Sequence, residues 1–247
     1  MNEGKMKLKI FKSVVEIADE VSVRMMKLIN DKAFQDENFF LAVSGGSTPV
    51  SLFKRLASNP FKENLNWKFL HIFWVDERCV PPADEQSNYG MTKKYLLDHV
   101  EIPDENIHRI KGENNPAEEI FRYSSEVKQW VPVKNSIPVF DLCLMGMGAD
   151  GHTASIFPGQ ELIESVDNVC GTAKHPETGQ MRISLTFDTL NNCNQSWFLV
   201  SGKDKAAILK KIYRREPDYL KFPAAMIQPH SGNLIWFADE EAAQELS

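Results

Sequence analysis

The first long stretch of regular patterning covers residues 13–33. Val14, Ile17, Ala18, Val21, Met25, Leu28 and Ile29 recur at helical spacing, Ser13 can cap the first turn, and Glu16 stands three residues on. This spacing predicts an amphipathic helix packed on a sheet. Short apolar runs then alternate with polar or glycine-rich breaks. Strands are expected at 39–43, 70–75, 142–145, 166–173, 181–185, 196–201 and 234–238. Helices are expected at 50–57, 87–100, 116–130, 205–215 and 239–246. In the 116–130 helix, Glu118 and Glu119 lie near the start, where acids suit the helix dipole. Alternation of this kind argues for an α/β fold: a mostly parallel sheet with helices on both faces.

Four of these strands end in breaks that carry chemistry. They begin at Ser44, Asp76, Gly146 and Gly202. In a parallel sheet, ligands sit beyond the carboxyl ends of the strands. If the four strands are neighbours, their loops meet in one crevice. Ser44-Gly45-Gly46-Ser47-Thr48-Pro49 reads as an anion cradle of backbone N–H groups and hydroxyls at a helix start. Asp76-Glu77-Arg78 places three charges at the end of the apolar run LHIFWV. An exposed ion-pair cluster is the plain alternative there. DLCLMGMGADGHTASIFPG, from Asp141 to Gly159, is the stretch around which the chain is organised. It formally contains Gly146-x-Gly148-x-x-Gly151, but Pro158 interrupts the helix that a dinucleotide fingerprint needs, so no dinucleotide is expected.

Ser47, Thr48, Arg78, Arg182 and Lys205, with the loop amides, make a phosphate-binding set. His152 is the best acid–base candidate, because imidazole titrates near neutrality. Asp150 is its nearest carboxylate in sequence, although proximity along a loop does not establish contact. No Ser-His-Asp or Cys-His order stands out, so water is the expected nucleophile. No cluster of metal ligands appears, so no metal is expected. The residues alone therefore point to acid–base chemistry on a phosphorylated small metabolite.

Charge and composition narrow the class further. The 247-residue chain suits one large domain or two closely merged lobes, and its formal net charge of −6 argues against a general nucleic-acid or anionic-membrane binder. No long apolar segment suggests a signal peptide or a transmembrane helix. Cys79, Cys143, Cys170 and Cys193 are widely spaced and imply neither a zinc site nor a disulfide framework. Cys143 is read as a core residue, and the chain as reduced and cytoplasmic.

The loop 44–49, Asp76-Glu77-Arg78 with Val80-Pro81 and Ser87-Asn88, the GxGxDGHTASxFPG string, Arg182, Gly202-x-x-Lys205 and LIWFADEEAA together resemble the 6-phosphogluconolactonase family over nearly the whole chain. The resemblance implies a Rossmann-like, three-layer α/β fold with a small β-containing excursion, forming a single phosphosugar-binding domain across 1–247. It implies hydrolysis of 6-phospho-D-glucono-1,5-lactone in the oxidative pentose phosphate pathway, without a cofactor or essential metal. His152 would activate water, and Asp76 would orient either the substrate or His152. Arg78, Arg182 and Lys205 would hold phosphate, helped by Ser44, Gly45, Gly46, Ser47 and Thr48. One of the cations, or an N–H in the Gly146–Gly148 loop beside Asp150, would face the developing oxyanion. The expected partner is a phosphorylated sugar lactone, with neither nucleic acid nor membrane, and the protein a monomer or weak homo-oligomer. Two alternatives share the phosphosugar pocket. A deaminase or isomerase would need a further carboxylate base, and none lies between His152 and Glu161. A non-catalytic phosphosugar sensor would need an output segment and would have little use for His152.

Overall fold

The structure, a computed structural model, describes residues 6–162 and 164–246. In chain order, β1 (Lys7–Phe11) leads into α1 (Val14–Phe34), β2 (Phe39–Val43), α2 (Ser47–Leu56), α3 (Phe61–Asn64) and β3 (Leu70–Trp74). Next come β4 (Asp76–Arg78), α4 (Asn88–Tyr95), β5 (Ile107–His108) and α5 (Pro116–Trp130). A small hairpin, β6 (Val133–Lys134) and β7 (Ile137–Pro138), precedes β8 (Leu142–Gly146). Then follow β9 (Glu164–Val166), β10 (Cys170–Lys174), β11 (Met181–Leu185), α6 (Phe187–Asn191) and β12 (Ser196–Val200). The order ends with α7 (Ala206–Tyr213), β13 (Leu234–Asp239) and α8 (Glu240–Ala243).

Seven strands form the main sheet in the order β1-β13-β12-β8-β2-β3-β5, and every pairing in it is parallel. β2, β3 and β12 are buried at every residue. Strands buried on both faces need layers on both sides, and the helices supply them. The strands whose ends carry chemistry, β12, β8, β2 and β3, are consecutive neighbours. Strand order reverses between β8 and β2, and such a reversal opens a crevice at the carboxyl edge of the sheet.

A second, antiparallel sheet, β4-β11-β10-β9, is the small β excursion. Val75 joins the two sheets: its N–H donates to Val43 O of β2, and its carbonyl accepts from Leu185 N of β11. The chain thus leaves the main sheet at Trp74 and enters the small one at Asp76. In that sheet Asp76 pairs with Ser184 and Arg78 with Arg182.

Several boundaries differ from the sequence reading. The expected strand 166–173 is two strands, β9 and β10, turned at Asp167 and Asn168 with φ of 53° and 55°. Asp and Asn tolerate that left-handed backbone, which a two-residue hairpin turn requires. Helix α2 begins at Ser47, three residues before Val50, so two hydroxyl residues lie inside its first turn. The helix expected at 87–100 stops at Tyr95, where Leu96 leaves helical geometry. Cys143 and Cys193, both buried, are joined as a disulfide with Cα atoms 6.5 Å apart. This corrects the expectation of separate reduced thiols: a sequence separation of 50 hid the pairing.

Candidate active site

A crevice of about 270 Å³ opens at the carboxyl ends of β12, β8, β2 and β3. Ser44, Gly45, Gly46, Ser47, Thr48, Asp76, Arg78, Gly148, His152, Arg182 and Lys205 all line it. Of the expected site residues, Asp150 is the one that does not line it; it is exposed and in contact with His152. Residues not anticipated from the sequence are Asn88, Ala154, Ser201 and Asp204. Ser201 and Asp204 follow β12 directly, so the strand-end rule could have found them.

The β2 end supplies backbone amides. Gly46, the residue before α2, has φ of 108°, a conformation strained for any side-chain-bearing residue. No side chain caps α2, so its first N–H groups face the crevice without a protein acceptor from the cap position. Thr48 Oγ1 lies 2.7 Å from Ser201 Oγ, tying this end to β12. Lys205 Nζ lies beside them, 2.7 Å from Asp204 Oδ2.

The β3 end supplies charge. Asp76 and Glu77 are buried, so the exposed ion-pair cluster considered from the sequence is not what forms. Glu77 accepts from the N–H groups of Arg78, Asn88 and Tyr89 at 2.7–2.8 Å and from Ser87 Oγ at 3.0 Å. It fastens the start of α4 to β4, where a carboxylate suits the helix dipole. Burial still pushes its carboxyl up, against those hydrogen bonds. Arg78 and Arg182 stand directly opposite each other on β4 and β11. Two like charges in that register repel. Burial, with Arg78 alongside, lowers the proton affinity of the Arg182 guanidinium. Among the described residues, Nε of both arginines is buried without a hydrogen-bond partner. An anion in the crevice relieves the repulsion.

The β8 end supplies the histidine. His152 Nδ1 lies 2.6 Å from Asp150 Oδ1, and the His152 N–H donates to the same oxygen at 3.1 Å. Burial disfavours the Asp150 charge, but these hydrogen bonds outweigh it and hold the carboxyl at about 2. An ionised carboxylate only accepts, so Nδ1 is the donor in this contact, and in the neutral ring that tautomer leaves the lone pair on Nε2. Gly148 makes the pair possible: a Cβ there would stand 2.1 Å from His152 Nδ1 and 2.6 Å from Asp150 Oδ1. The ring packs on Phe157, centroids 5.0 Å apart, and Arg182 lies over that same phenyl ring at 5.9 Å.

Asp76 makes no direct hydrogen bond to His152. Its Oδ2 accepts from Ser155 Oγ at 2.6 Å, and its Oδ1 accepts a long bond from Asn88 Nδ2 at 3.3 Å. Among the described residues, no helix lies between Gly151 and β9. Among the described residues, no group of three or more His, Cys, Asp or Glu side chains is placed to hold a metal ion, and no helix is long and apolar enough to cross a membrane.

Fold and crevice together define an α/β protein that gathers arginines, a lysine and a histidine–aspartate pair at the carboxyl edge of a parallel sheet. The family described as glucosamine-6-phosphate isomerases/6-phosphogluconolactonase matches residues 12–236. A curated 6-phosphogluconolactonase of Haemophilus influenzae is 47% identical over 206 residues, 83% of this chain and 87% of that protein. The solved structure of the devB protein gives a TM-score of 0.91 at 40% identity, covering 98% of this chain and 100% of that one. The 6-phosphogluconolactonase of Trypanosoma brucei gives 0.88 at 25% identity, covering 99% and 100%. The chain belongs to this family.

Proposed function

We propose that this protein hydrolyses 6-phospho-D-glucono-1,5-lactone to 6-phospho-D-gluconate, the lactone step of the oxidative pentose phosphate pathway, as a single phosphosugar-binding domain. The observation that carries the reading is the His152–Asp150 pair at 2.6 Å, facing a crevice that also holds Arg78, Arg182 and Lys205. Family membership supports it.

A lactone is an ester already activated by its ring. Water therefore needs a base, and the carbonyl oxygen needs a positive neighbour. His152 Nε2 takes a proton from water as the water oxygen bonds to C1. The negative charge moves to the former carbonyl oxygen, where a cation or a Gly146–Gly148 amide meets it. Collapse of the tetrahedral intermediate breaks the C1–O5 bond, and His152 returns its proton to O5. Asp150 keeps the ring in the correct tautomer and balances its transient positive charge, as a carboxylate does in a catalytic triad. Arg78, Arg182, Lys205 and the amides at the start of α2 share the phosphate and oxyanion roles. The reaction needs no cofactor. We place the protein in the cytoplasm, as a monomer or weak homo-oligomer without nucleic-acid or membrane partners.

The test generates the lactone enzymatically and follows acid release above the spontaneous background, for wild type and His152→Ala. Fast turnover by wild type, lost in the variant, is the expected result. No acceleration by wild type would overturn the lactonase reading, and an active variant would remove His152 from the mechanism. Equal rates on unphosphorylated gluconolactone would count against a phosphate pocket.

A further inference from the structure

The loop that carries His152 is held at three places. At its root, Thr153 Oγ1 donates to Gly146 O at 2.9 Å. On one flank, Ala224 N donates to Gly151 O at 3.0 Å. On the other flank a single residue, Ser155, makes two contacts. Its N–H donates to Ser184 Oγ at 3.2 Å, and its own hydroxyl donates to Asp76 Oδ2 at 2.6 Å. Ser155 and Ser184 are fully buried, and Asp76 nearly so. The turn that presents Ser155 is tight: Ile156 N donates to Thr153 O at 3.0 Å, and Ala154 sits at φ of 50°. Residues other than glycine pay to adopt that conformation, so surrounding contacts must hold it in place.

Both anchors of Ser155 lie on the strand pair that carries the arginines. Asp76 and Ser184 are partners in register, and the next pair on the same side of β4 and β11 is Arg78 with Arg182. Asp76 is itself fixed from behind: Asn88 Nδ2 donates to its carbonyl at 2.8 Å and reaches its Oδ1 at 3.3 Å. One short hydrogen bond therefore links the loop bearing the base to the strands bearing the cations. It spans 79 residues of sequence.

We propose that Ser155 is a positioning residue for this reaction: through Asp76 and Ser184 it sets the distance between His152 and the Arg78–Arg182 pair. In this arrangement Asp76 acts as an acceptor that receives the Ser155 hydroxyl, and proton transfer is left to His152. The proposal rests on the reading of His152 as the base. It also explains why a carboxylate at the crevice wall does not make this a two-base site: one of its oxygens is already engaged by a buried hydroxyl.

The test is a cycle of variants assayed for kcat and KM on the phosphorylated lactone, alongside calorimetric binding of 6-phosphogluconate. Misplacing a catalytic group by about 1 Å can cost about 100-fold, so Ser155→Ala should lower kcat by about 10- to 100-fold, with KM and product affinity changing by less than about threefold. Asp76→Ala should fall similarly, and Ser155→Ala/Asp76→Ala no further than either single variant, because both remove one linkage. Asp76→Asn still offers an oxygen to Ser155 and should recover most of the loss. Ser155→Cys, a weaker donor, should fall between wild type and Ser155→Ala. A wild-type kcat in Ser155→Ala, additive losses in the double variant, or Asp76→Asn as impaired as Asp76→Ala would each overturn the proposal. If Ser155→Ala does not fold, the comparisons of Asp76→Asn with Asp76→Ala and of Ser155→Cys with wild type decide it by the same criteria. Failure here is distinct from failure of the base assignment: the first leaves His152→Ala inactive, the second leaves it active.

Discussion

One strand, β3, carries two buried polar clusters of opposite character. Near its start, His71 Nδ1 lies 3.0 Å from His108 Nε2, and His108 Nδ1 lies 3.1 Å from Glu126 Oε1. Arg122 joins Glu126 to Glu119, and Glu119 also accepts from Lys111 N at 2.7 Å and Asn114 Nδ2 at 2.8 Å. Each side chain in this chain meets a partner of matching chemistry. Just past the other end of β3, at Asp76, the crevice holds Arg78 Nε, Arg182 Nε, Ser44 Oγ and Asn88 Oδ1, all buried and unpartnered among the described residues. Leaving a buried polar atom unpaired typically costs about 1–3 kcal/mol, so a concentration of them in one crevice calls for an explanation. The first cluster is complete in itself and holds the sheet together. The second keeps its unpartnered atoms on residues that line the crevice.

The sharpest way to separate the two clusters is to remove one group from each. In the crevice, His152→Ala should reduce kcat by about 10²–10⁴-fold while 6-phosphogluconate still binds. In the other cluster, Glu119→Ala takes one of its two carboxylates from Arg122 and leaves the Lys111 and Asn114 donors without this acceptor, and should destabilise the fold by about 3 kcal/mol with kcat/KM unchanged, as denaturant unfolding would measure. A large activity loss in soluble, folded Glu119→Ala would merge the two regions. Arg182→Ala should weaken 6-phosphogluconate binding by about 10- to 100-fold, from the loss of charge-assisted hydrogen bonds worth about 1.5–3 kcal/mol. The same variant should melt no lower than wild type without ligand, since it relieves the repulsion with Arg78. Calorimetry and thermal unfolding on one sample read both effects, and a lower melting point with intact binding would move Arg182 into the structural class.

The smallest effect concerns acid. Burial, reinforced by His108, holds His71 at about 4, below its ordinary value of 6.5. The folded state therefore keeps His71 neutral where the unfolded chain takes up a proton. Stability from this group is fully present above about pH 6.5, declines as the pH falls towards 4, and is gone below that. Thermal midpoints measured across this window should fall, and His71→Gln should flatten part of the slope.

Much of this contrast could be read from the chain in advance, and some of it could not. The helix at 116–130 has the predicted boundaries, because an asparagine cap, an early proline and acidic first-turn residues all mark its start. The four strand ends meet because apolar runs alternating with helices permit few topologies. The partner of His152 stayed open, since residues two apart on a loop face each other only if the backbone bends, and the residue between them, Gly151, has φ of 84°. The Ser155–Asp76 link was invisible for a different reason: a serine within HTASIF carries no local pattern, and its acceptor lies in another sheet. Cys143 and Cys193 are similar, each reading locally as a small core residue.

The outermost strand of the main sheet has a consequence for how the chain is made. Among the described residues, β1 pairs only with β13, Lys7 opposite Ile235 and Phe11 opposite Asp239. Of the strands of this sheet, β1 is translated before the others and has no place to dock until β13, which follows them all, has been made. At about 5–20 residues per second, that delay is on the order of ten seconds or longer. During it, β2, β3 and β5 can already assemble with the helices between them, while the Lys7–Phe11 segment and the β12 edge wait. Completion of the sheet thus waits for β13, and Lys7 and Lys9 put charge on the waiting strand, a feature that disfavours edge-to-edge pairing.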